Sequence, residues 1–332
     1  MVRLAINGFG RIGRAAFKVA VERDDVEIVA INDLGDVENL VYLLKYDSVY
    51  GRYGQKVSVS GDTLQVGSHT IKALAQPDPE SLPWKDMDVD VVIESTGFFT
   101  DEEGAGKHLT AGAKRVVISA PTKSTGVPTV VLGVNNSDSD GQSIISNASC
   151  STNCATPVMS IMDNEFGVEK ALLTTIHSYT ATQALVDGPA KKDPRRGRAA
   201  AQNLIPSSTG AAIAATLAYE PMKDKFDGVS VRVPSPVVSI ADLVMLTKSE
   251  VRVEEINQAF VKASESPLHE GIVGYTEDPN VSTDFIQDPR SAIVDLSMTR
   301  VVSGNLVKIM AWYDNEWGYS NRLVEQAVAA GA

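Results

Sequence analysis

Apolar residues follow two different patterns along the chain, and the pattern changes near residue 150. In the first part, four nearly continuous apolar runs are typical of strands covered on both faces: residues 2–6, 27–31, 89–94 and 115–119. Residues 11–23, between the first two runs, repeat apolar side chains at helical spacing. Strands that alternate with helices predict βαβ units and a parallel sheet, and residues 55–71 predict an antiparallel excursion from it.

The second part contains longer predicted strands, several of which alternate apolar and polar residues: 172–179, 229–234, 237–247, 293–302 and 307–313. Such alternation predicts a sheet with one buried face and a second face that has another role. Predicted helices lie among and after these strands, at residues 208–219, 253–263 and 318–332. The change of pattern predicts two domains, and because no flexible linker separates them, we expect them to be closely joined.

Composition and charge exclude several classes of protein. The 332 residues carry 30 Lys+Arg against 42 Asp+Glu, a net charge of −12, whereas generic binding to nucleic acid or anionic membrane rewards positive charge. No apolar run approaches the roughly 20 residues that span a bilayer. Residues 1–10 contain a predicted strand followed by glycines, and they lack the pattern of a cleavable signal peptide. We therefore expect a cytoplasmic protein. Two cysteines are too few for a disulfide framework.

Gly8, Gly10 and Gly13 form a G-x-G-x-x-G motif that follows a predicted strand and begins a predicted helix. Glycines at these positions permit a tight turn and bring backbone N–H groups close to a pyrophosphate. Asp33 follows Gly13 by 20 residues, at the end of the next strand, where an acid accepts hydrogen bonds from the adenosine ribose. Its charge would repel a 2′-phosphate, so the motif favours NAD over NADP. The alternative is a structural glycine turn with an acid downstream by chance.

Cys150 lies in the sequence SCSTNC, whose serines and asparagine cap helices well, and a predicted helix follows. The dipole and N–H groups at a helix start favour a thiolate and can hold an oxyanion. Cys154 lies one turn further along, where a packed structural residue fits better than a second reactive thiol. Pro157 is expected to end or kink this helix because it lacks a backbone donor.

His177 lies near the end of the predicted strand 172–179. If the fold brings it to Cys150, the pair provides a nucleophile and a general base. A lone histidine at a strand end is otherwise structural or faces solvent, and the sequence does not decide between these roles.

Hydroxyl groups and one arginine mark candidate anion sites. Residues 207–210 (SSTG) precede a predicted helix, and hydroxyls with N–H groups at a helix start suit phosphate. Arg232 lies between valines in a predicted strand. It could bind a phosphate, or its side chain could simply face solvent. Thr180 and Thr182 add further hydroxyls. One loop carries five basic residues: Lys191, Lys192, Arg195, Arg196 and Arg198. This loop could attract an anionic substrate, but a contact between subunits or exposure to solvent is the role that fits it better.

Together and in this order, these motifs resemble the phosphorylating glyceraldehyde-3-phosphate dehydrogenase family along essentially the whole chain. The segments that carry the resemblance are residues 7–14 (NGFGRIGR), 31–33 (IND), 94–97 (ESTG), 149–154 (SCSTNC), 177–180 (HSYT), 208–212 (STGAA), 232–234 (RVP) and 312–320 (WYDNEWGYS). The resemblance implies oxidation of D-glyceraldehyde 3-phosphate to 1,3-bisphosphoglycerate with NAD and inorganic phosphate, a step of glycolysis.

The resemblance also implies an α/β architecture with two domains. These are a Rossmann-type NAD-binding domain at residues 1–150 and an α+β catalytic domain with a mixed sheet at residues 151–315. A C-terminal helix of about residues 316–332 would return to the first domain. The resemblance further implies a homotetramer, with residues 178–203 as a loop between subunits, and it implies no nucleic acid, membrane or metal partner.

The resemblance assigns roles residue by residue. Cys150 is the nucleophile and His177 its base, acting through a hemithioacetal and a thioester. The residues implied to bind the cofactor are Gly8, Phe9, Gly10, Arg11, Ile12, Gly13, Asp33, Thr96, Gly97, Ser119, Asn315 and Tyr319, of which Asn315 orients the nicotinamide amide and Tyr319 stacks near it. The residues implied to bind the substrate phosphate are Thr180, Thr182 and Arg232. Those implied to bind inorganic phosphate are Ser149, Ser151, Thr209 and Gly210.

The chain departs from the family pattern at a few positions. Ser151 replaces the usual threonine and keeps its hydroxyl, whereas Ile213 replaces a common lysine and removes one positive charge. Leu34 and Gly188 lack the hydroxyls that NADP-using relatives tend to carry, which agrees with a preference for NAD. Two alternatives stay open. One is an erythrose-4-phosphate dehydrogenase, whose relatives depart from the Tyr179-Thr180 pattern, and the other is a non-catalytic NAD-binding or interaction protein.

Overall fold

A computed structural model describes residues 1–190 and 193–332, which form two compact units. Unit 1 comprises Met1–Val130, Asn136–Ala148 and Ser320–Ala332, and unit 2 comprises Val131–Asn135 and Ser149–Tyr319. Unit 1 therefore reaches Ala148, two residues before the boundary expected from the sequence. Lys191 and Lys192 of the basic loop lie outside the described residues.

Unit 1 alternates strands with helices. Its elements are β1 (Val2–Asn7), α1 (Arg11–Ala20), β2 (Val26–Asn32), α2 (Val37–Lys45), β3 (Tyr46–Asp47), β4 (Gly51–Arg52), β5 (Val57–Ser60), β6 (Thr63–Val66), β7 (His69–Leu74), β8 (Val91–Glu94), α3 (Glu102–Thr110), β9 (Arg115–Ile118) and β10 (Ile144–Ser146).

The main sheet of unit 1 has the strand order β10-β9-β8-β1-β2-β7-β6-β5. The pairs from β10 to β7 are parallel, and β7, β6 and β5 pair antiparallel, which confirms the predicted excursion. In register, Asn7 of β1 lies between Asn32 of β2 and Glu94 of β8. The carboxyl ends of three neighbouring strands therefore place polar side chains together at one edge, where nucleotides bind in open α/β sheets.

These polar side chains form a buried hydrogen-bonded network. Glu94 accepts hydrogen bonds from Asn7 Nδ2 (2.6 Å), from His108 Nε2 (3.1 Å) and from the N–H of Thr96 (2.8 Å). The indole N–H of Trp84 donates to His108 Nδ1 at 2.9 Å, so Nδ1 is the acceptor and Nε2 carries the proton. Both His108 and Glu94 are almost completely buried. The buried carboxylate is thus compensated by several donors, as a buried charge requires.

Unit 2 contains α4 (Cys150–Phe166), β11 (Val168–Ser178), β12 (Ile205–Ser208), α5 (Ala211–Ala218), β13 (Phe226–Val233), β14 (Ser239–Thr247), α6 (Val253–Ser264), β15 (Val273–Thr276), β16 (Ala292–Asp295), β17 (Arg300–Val302) and β18 (Leu306–Tyr313). The last helix, α7 (Trp317–Gly331), begins in unit 2, and its residues from Ser320 onwards belong to unit 1. Among the described residues, no helix is long and apolar enough to cross a membrane.

The sheet of unit 2 is mixed. Its order is β12-β13-β11-β14-β18-β16-β15, with β17 on β18, and the β11–β13 and β15–β16 pairs are parallel. α4 covers the inner face, where Val158, Met159 and Met162 pack in one core with Leu243 and Ile309. This mixed sheet with helices confirms the expected α+β class of the second domain.

One local prediction for unit 2 is wrong, and one is met only in part. The predicted strand 293–302 is split into β16 and β17 by a turn in which Ser297 Oγ donates to the Asp295 carboxylate at 2.7 Å. Pro157 lies inside α4 and does not end it, because the helix continues to Phe166; a kink at Pro157 stays a prediction. The hydrogen bond that Pro157 cannot donate is offset because this part of the helix is buried on several sides, from Ser151 to Met162.

The buried network of unit 1 gives a test of stability. His108→Leu removes the donor to Glu94 and the acceptor for Trp84, so we expect the free energy of unfolding to fall by about 3–5 kcal/mol. Urea denaturation, followed by far-UV circular dichroism at one protein concentration, measures it. The matched control is His69→Leu at an exposed strand position, which should change the free energy by less than about 0.5 kcal/mol. Equal losses in both variants would show that the network contributes nothing specific.

Candidate active site

Cys150 is the first residue of α4, and the helix begins as its capping residues predict. Ser149 has extended backbone angles and its hydroxyl accepts a hydrogen bond from the N–H of Thr152 at 3.2 Å. The carbonyl of Ser149 accepts the N–H of Asn153 at 2.9 Å, the first hydrogen bond of the helix. This cap fixes Cys150 at the helix end where the dipole is positive.

The structure brings the Cys150 and His177 side chains together. The Sγ atom lies 3.5 Å from Nε2 of His177, near the carboxyl end of β11. The carbonyl oxygen of Ser178, which can only accept, lies 2.7 Å from His177 Nδ1. This contact favours a proton on Nδ1, whereas Nη1 of Arg232, which can only donate, lies 2.8 Å from the same nitrogen and favours a lone pair there. A base for Cys150 requires the proton on Nδ1, so that Nε2 faces the thiol with its lone pair.

Burial controls the protonation of both groups. It raises the pKa of the Cys150 thiol, although the positive charge of Arg232 and hydrogen bonds from Ser151 act in the opposite direction. Burial therefore acts against the thiolate expected at this helix start. The sequence alone does not show this cost of desolvation. Burial and the Arg232 charge lower the pKa of His177 to about 3, so its imidazole is neutral at physiological pH.

Arg232 lies beside His177 because the parallel register of β11 and β13 makes the two residues direct partners. Its Nη1 is 2.8 Å from His177 Nδ1 and donates to the Ser178 carbonyl at 3.1 Å. Its Nε is buried and has no acceptor among the residues that the structure describes. A guanidinium with an unused donor in a buried site is well suited to bind an anion.

A second arginine reaches the same region and was not singled out from the sequence. Arg196 approaches Thr182 Oγ1 through Nη1 and Ser207 Oγ through Nη2, both at 3.4 Å. Thr182 Oγ1 in turn lies 2.8 Å from Thr180 Oγ1. The predicted hydroxyls Thr180 and Thr182 are thus close together and next to a positive charge. Only the pairing of the loop with these residues distinguishes Arg196 from its basic neighbours.

The starts of α4 and α5 lie close together. Thr152 Oγ1 donates to the carbonyl of Ala211 at 3.3 Å, and Thr209 Oγ1 accepts the N–H of Ala211 at 3.1 Å. Thr209 and Gly210 therefore precede a helix that contacts the first turn of α4. Ser151 is buried, and its hydroxyl lies 2.8 Å from the hydroxyl of Tyr313, a residue not predicted as part of the site.

Asn315 and Tyr319 follow β18 in unit 2, and both are buried. Asn315 Oδ1 accepts a hydrogen bond from Ser239 Oγ at 3.0 Å. Ser239 is the first residue of β14 and was not singled out from the sequence.

The glycine motif of unit 1 has the geometry that a pyrophosphate needs. Gly8 has a φ of +94°, and a Cβ there would lie 2.6 Å from the N atom of Thr96. A Cβ on Gly13 would lie 2.0 Å from the Gly8 carbonyl oxygen. A Cβ on Gly10 would meet nothing within 4 Å, so the backbone at that position faces open space. Two glycines are needed for the turn, and the third leaves room for a ligand.

The predicted neighbours of this loop take different parts in it. Asp33 accepts hydrogen bonds from the N–H groups of Phe9 (2.7 Å) and Gly35 (2.8 Å), so it stands beside the glycine turn. The Phe9 side chain is buried against Phe17 with ring centroids 5.4 Å apart, so only its backbone can face a ligand. The Arg11 side chain bonds to the Asp47 carboxylate at 3.2 Å. Ile12 is the second residue of α1.

A cavity of about 510 Å³ lies at the carboxyl ends of these strands. Its lining includes Gly8, Gly10, Asp33, Thr96 and Phe98. Gly97 follows Thr96 with a φ of +75°. Ser119 comes directly after β9 and donates its N–H to the Glu94 carbonyl at 2.9 Å. The residues predicted around the glycine motif therefore surround one cavity or lie at the same strand ends.

Comparisons with known proteins match both units. The family model "Glyceraldehyde 3-phosphate dehydrogenase, NAD binding domain" matches residues 2–102, and "Glyceraldehyde 3-phosphate dehydrogenase, C-terminal domain" matches residues 149–315. The chain is 50% identical to glyceraldehyde-3-phosphate dehydrogenase 2 of Streptomyces avermitilis, covering 99% of this chain and 98% of that protein. It is 48% identical to glyceraldehyde-3-phosphate dehydrogenase of Geobacillus stearothermophilus, covering 98% and 97%.

The electrostatic role of Arg232 can be measured on the thiol itself. Arg232→Leu removes a positive charge that lowers the pKa of Cys150, so the thiol pKa should rise further and the thiolate fraction at pH 8 should fall. We expect alkylation of Cys150 by iodoacetamide to slow by roughly tenfold at pH 8, with its pH profile displaced to higher pH.

The control for this experiment is Arg198→Leu. Arg198 is an exposed arginine of the basic loop that also contains Arg196, and its side chain pairs with Asp187 at 2.8 Å. Its alkylation profile should match the wild type. Superimposable profiles for Arg232→Leu and the wild type would show that the Arg232 charge does not act on the thiol.

Proposed function

The chain belongs to the glyceraldehyde 3-phosphate dehydrogenase family, and we propose that it oxidises D-glyceraldehyde 3-phosphate to 1,3-bisphosphoglycerate with NAD and inorganic phosphate. The observation that carries this proposal is the 3.5 Å contact between Cys150 Sγ and Nε2 of His177. A thiol beside a neutral base is the arrangement for covalent catalysis on an aldehyde. In glycolysis this reaction conserves the energy of oxidation in an acyl phosphate.

Unit 1 fits NAD. The open space at Gly10 and the N-terminus of α1 would take the pyrophosphate, and Asp33 would accept hydrogen bonds from the adenosine ribose. Backbone N–H groups hold the Asp33 carboxylate in place, where it would repel the 2′-phosphate of NADP. Thr96, Gly97 and Ser119 belong to the same site in this proposal. NAD, when bound, supplies the acceptor for the hydride that leaves the substrate carbon.

Cys150 and His177 carry the first step. The thiol proton passes to His177 Nε2 while the sulfur bonds to the aldehyde carbon. The carbonyl oxygen then takes the proton back, and a hemithioacetal results. The N–H groups at the start of α4 stabilise the oxygen as it becomes negative. His177 next accepts the hydroxyl proton as the carbon is oxidised to a thioester. General-base catalysis of this kind raises the rate by about 10²–10⁴-fold.

Inorganic phosphate completes the reaction. Its oxygen attacks the thioester carbon, the carbon–sulfur bond breaks, and Cys150 leaves as the thiolate. Ser149, Ser151, Thr209 and Gly210 hold this phosphate at the adjoining starts of α4 and α5. The substrate's own phosphate binds to Thr180, Thr182 and Arg232, and we add Arg196 to this group because of its contact with Thr182.

The assay that tests this function is NADH formation at 340 nm with glyceraldehyde 3-phosphate and NAD. Turnover should require inorganic phosphate. Cys150→Ser should bind NAD but show almost no turnover, because a serine hydroxyl is a far weaker nucleophile than a thiol. The control Cys154→Ala alters a completely buried thiol and should keep turnover near that of the wild type.

Three outcomes of this assay would contradict parts of the proposal. Near wild-type turnover of Cys150→Ser would remove the nucleophile assignment. Faster turnover of erythrose 4-phosphate would identify the related sugar dehydrogenase instead. Binding of NAD without turnover of either sugar by the reduced wild type would favour a non-catalytic binding protein.

A homotetramer in the cytoplasm is also part of the proposal. The outer face of the unit 2 sheet has a groove of about 760 Å³ lined by apolar side chains that include Leu172, Val244 and Leu306. Leu172 is 63% exposed although it lies mid-strand. Lys170 and Asp227, which carry opposite charges, also line this groove. We propose that this apolar face packs against a second copy of the chain. Both cysteines are free thiols, which suits a reducing compartment.

Sedimentation velocity tests the assembly. The wild type should sediment at four times the chain mass of 35.4 kDa. Leu172→Asp places a charge on the outer face and should produce smaller species at micromolar concentration, because a buried unpaired charge is costly. Leu268→Asp changes a similarly exposed leucine outside the groove and should leave the mass unchanged. A tetramer that persists in Leu172→Asp would exclude this face as a subunit interface.

A further inference from the structure

A buried chain of hydrogen bonds connects the end of β11 with Asn315. The N–H of Ser178 donates to Ser239 Oγ at 3.2 Å, and Ser239 Oγ donates to Asn315 Oδ1 at 3.0 Å. The side chains of Ser178, Ser239 and Asn315 are all buried. All three residues lie in unit 2, at the adjoining ends of β11, β14 and β18.

The two hydrogen bonds run in one direction, from Ser178 through Ser239 to Asn315. A backbone N–H can only donate, so Ser239 Oγ accepts from Ser178. The Ser239 hydroxyl donates its own proton to Asn315 Oδ1, and the Asn315 amide therefore has its oxygen turned toward Ser239. Its NH2 group lies on the other branch of the amide and is directed away from Ser239. The serine hydroxyl thus decides which end of the amide a ligand meets.

The backbone before Ser239 is held in an unusual conformation. Val238 has a φ of +65°, in the left-handed region that β-branched residues rarely adopt, and it is buried. Its carbonyl accepts a hydrogen bond from Ser178 Oγ at 2.7 Å. Ser178 therefore holds both Val238 and Ser239, through its hydroxyl and its N–H. Strain of this kind persists where the surrounding contacts over-determine the geometry, and it concentrates at functional sites.

Ser178 also holds the base. Its carbonyl lies 2.7 Å from His177 Nδ1, so one residue contacts the imidazole through its C=O and, by way of Ser239, the Asn315 amide through its N–H. The orientation of the amide is thereby tied to the orientation of the base.

We propose that Ser239 is a positioning residue for the cofactor: its hydroxyl turns the Asn315 amide so that the NH2 group donates to the carboxamide oxygen of the nicotinamide. This inference rests on the proposed function, which assigns Asn315 to that group. Without the hydroxyl, the amide can rotate by half a turn and present its oxygen to another oxygen. Ser239→Ala should therefore weaken the nicotinamide end of the cofactor site and leave the adenosine end unchanged.

Calorimetric binding of two probes by the full chain separates these ends, because ADP-ribose lacks the nicotinamide. We expect Ser239→Ala to raise the Kd for NAD by about fivefold to tenfold, as for the loss of one hydrogen bond, and to change the Kd for ADP-ribose by less than about twofold. Ser239→Thr keeps the hydroxyl and should bind both probes as the wild type does. Ser239→Cys, with a much weaker donor, should show the loss for NAD alone and replaces the alanine variant if that does not fold.

The matched control is Ser230→Ala, which removes another buried serine hydroxyl of the same sheet, one bonded to Thr175 Oγ1 at 2.9 Å. It should not change the ratio of the two Kd values. Combining Ser239→Ala with Asn315→Ala provides a double-mutant cycle. If Ser239 acts through Asn315, the double variant should bind NAD no more weakly than Asn315→Ala alone.

The outcomes distinguish this inference from the proposed function. Equal weakening of NAD and ADP-ribose by Ser239→Ala, or additive losses in the double variant, would overturn the positioning role. A wild type that binds neither probe would contradict the proposed function. Unchanged NAD binding in Asn315→Ala would overturn the assignment of Asn315 and, with it, the role of Ser239.

Discussion

The hydrogen bond between His177 Nδ1 and the Ser178 carbonyl determines what the rest of the site can do. Because a carbonyl only accepts, the 2.7 Å contact favours the ring proton on Nδ1 and so leaves Nε2 as an acceptor beside Cys150, whereas Arg232 Nη1, 2.8 Å from Nδ1, favours the opposite tautomer. The strand that carries both residues also aligns His177 with Arg232 through its parallel register. Without this contact the imidazole could take the other tautomer, and the thiol would face a donor instead of a base.

Burial supports this arrangement at a cost to the nucleophile. It lowers the pKa of His177 to about 3, which keeps the imidazole neutral, the form that can accept a proton. The same burial raises the pKa of the Cys150 thiol, and the nearby guanidinium of Arg232 offsets part of that effect. Burial therefore acts against charge on both groups of the Cys150–His177 pair.

The sequence predicted the features that depend on neighbouring residues. The glycine turn requires only Gly8, Gly10 and Gly13 with the following helix, and Ser149 caps α4 through residues within one turn. The parallel order of strands followed from apolar runs that alternate with helices. Burial also outweighed one local signal, because α4 continues past Pro157 along a stretch whose residues are buried.

The features that could not be predicted depend on strand register or on burial. Arg196 resembles its basic neighbours until its loop folds against Thr182, and Ser239 looks like an ordinary strand residue until β14 lies beside β11. The expected thiolate at Cys150 followed from the helix start alone, whereas desolvation depends on all the atoms that surround it. The family resemblance could assign roles to matched residues, but not the hydrogen bonds that orient them.

The Glu94 carboxylate of unit 1 and the Arg232 guanidinium of unit 2 are satisfied to different degrees. In unit 1, the Glu94 carboxylate accepts hydrogen bonds from Asn7, His108 and Thr96, so its charge is compensated and the strand ends below the cavity are fixed. In unit 2, Arg232 keeps a buried Nε without an acceptor among the described residues. An unpaired buried donor costs free energy, and a bound ligand can remove that cost. An anion at Arg232 would supply the acceptor that Nε lacks and a negative charge to balance the guanidinium.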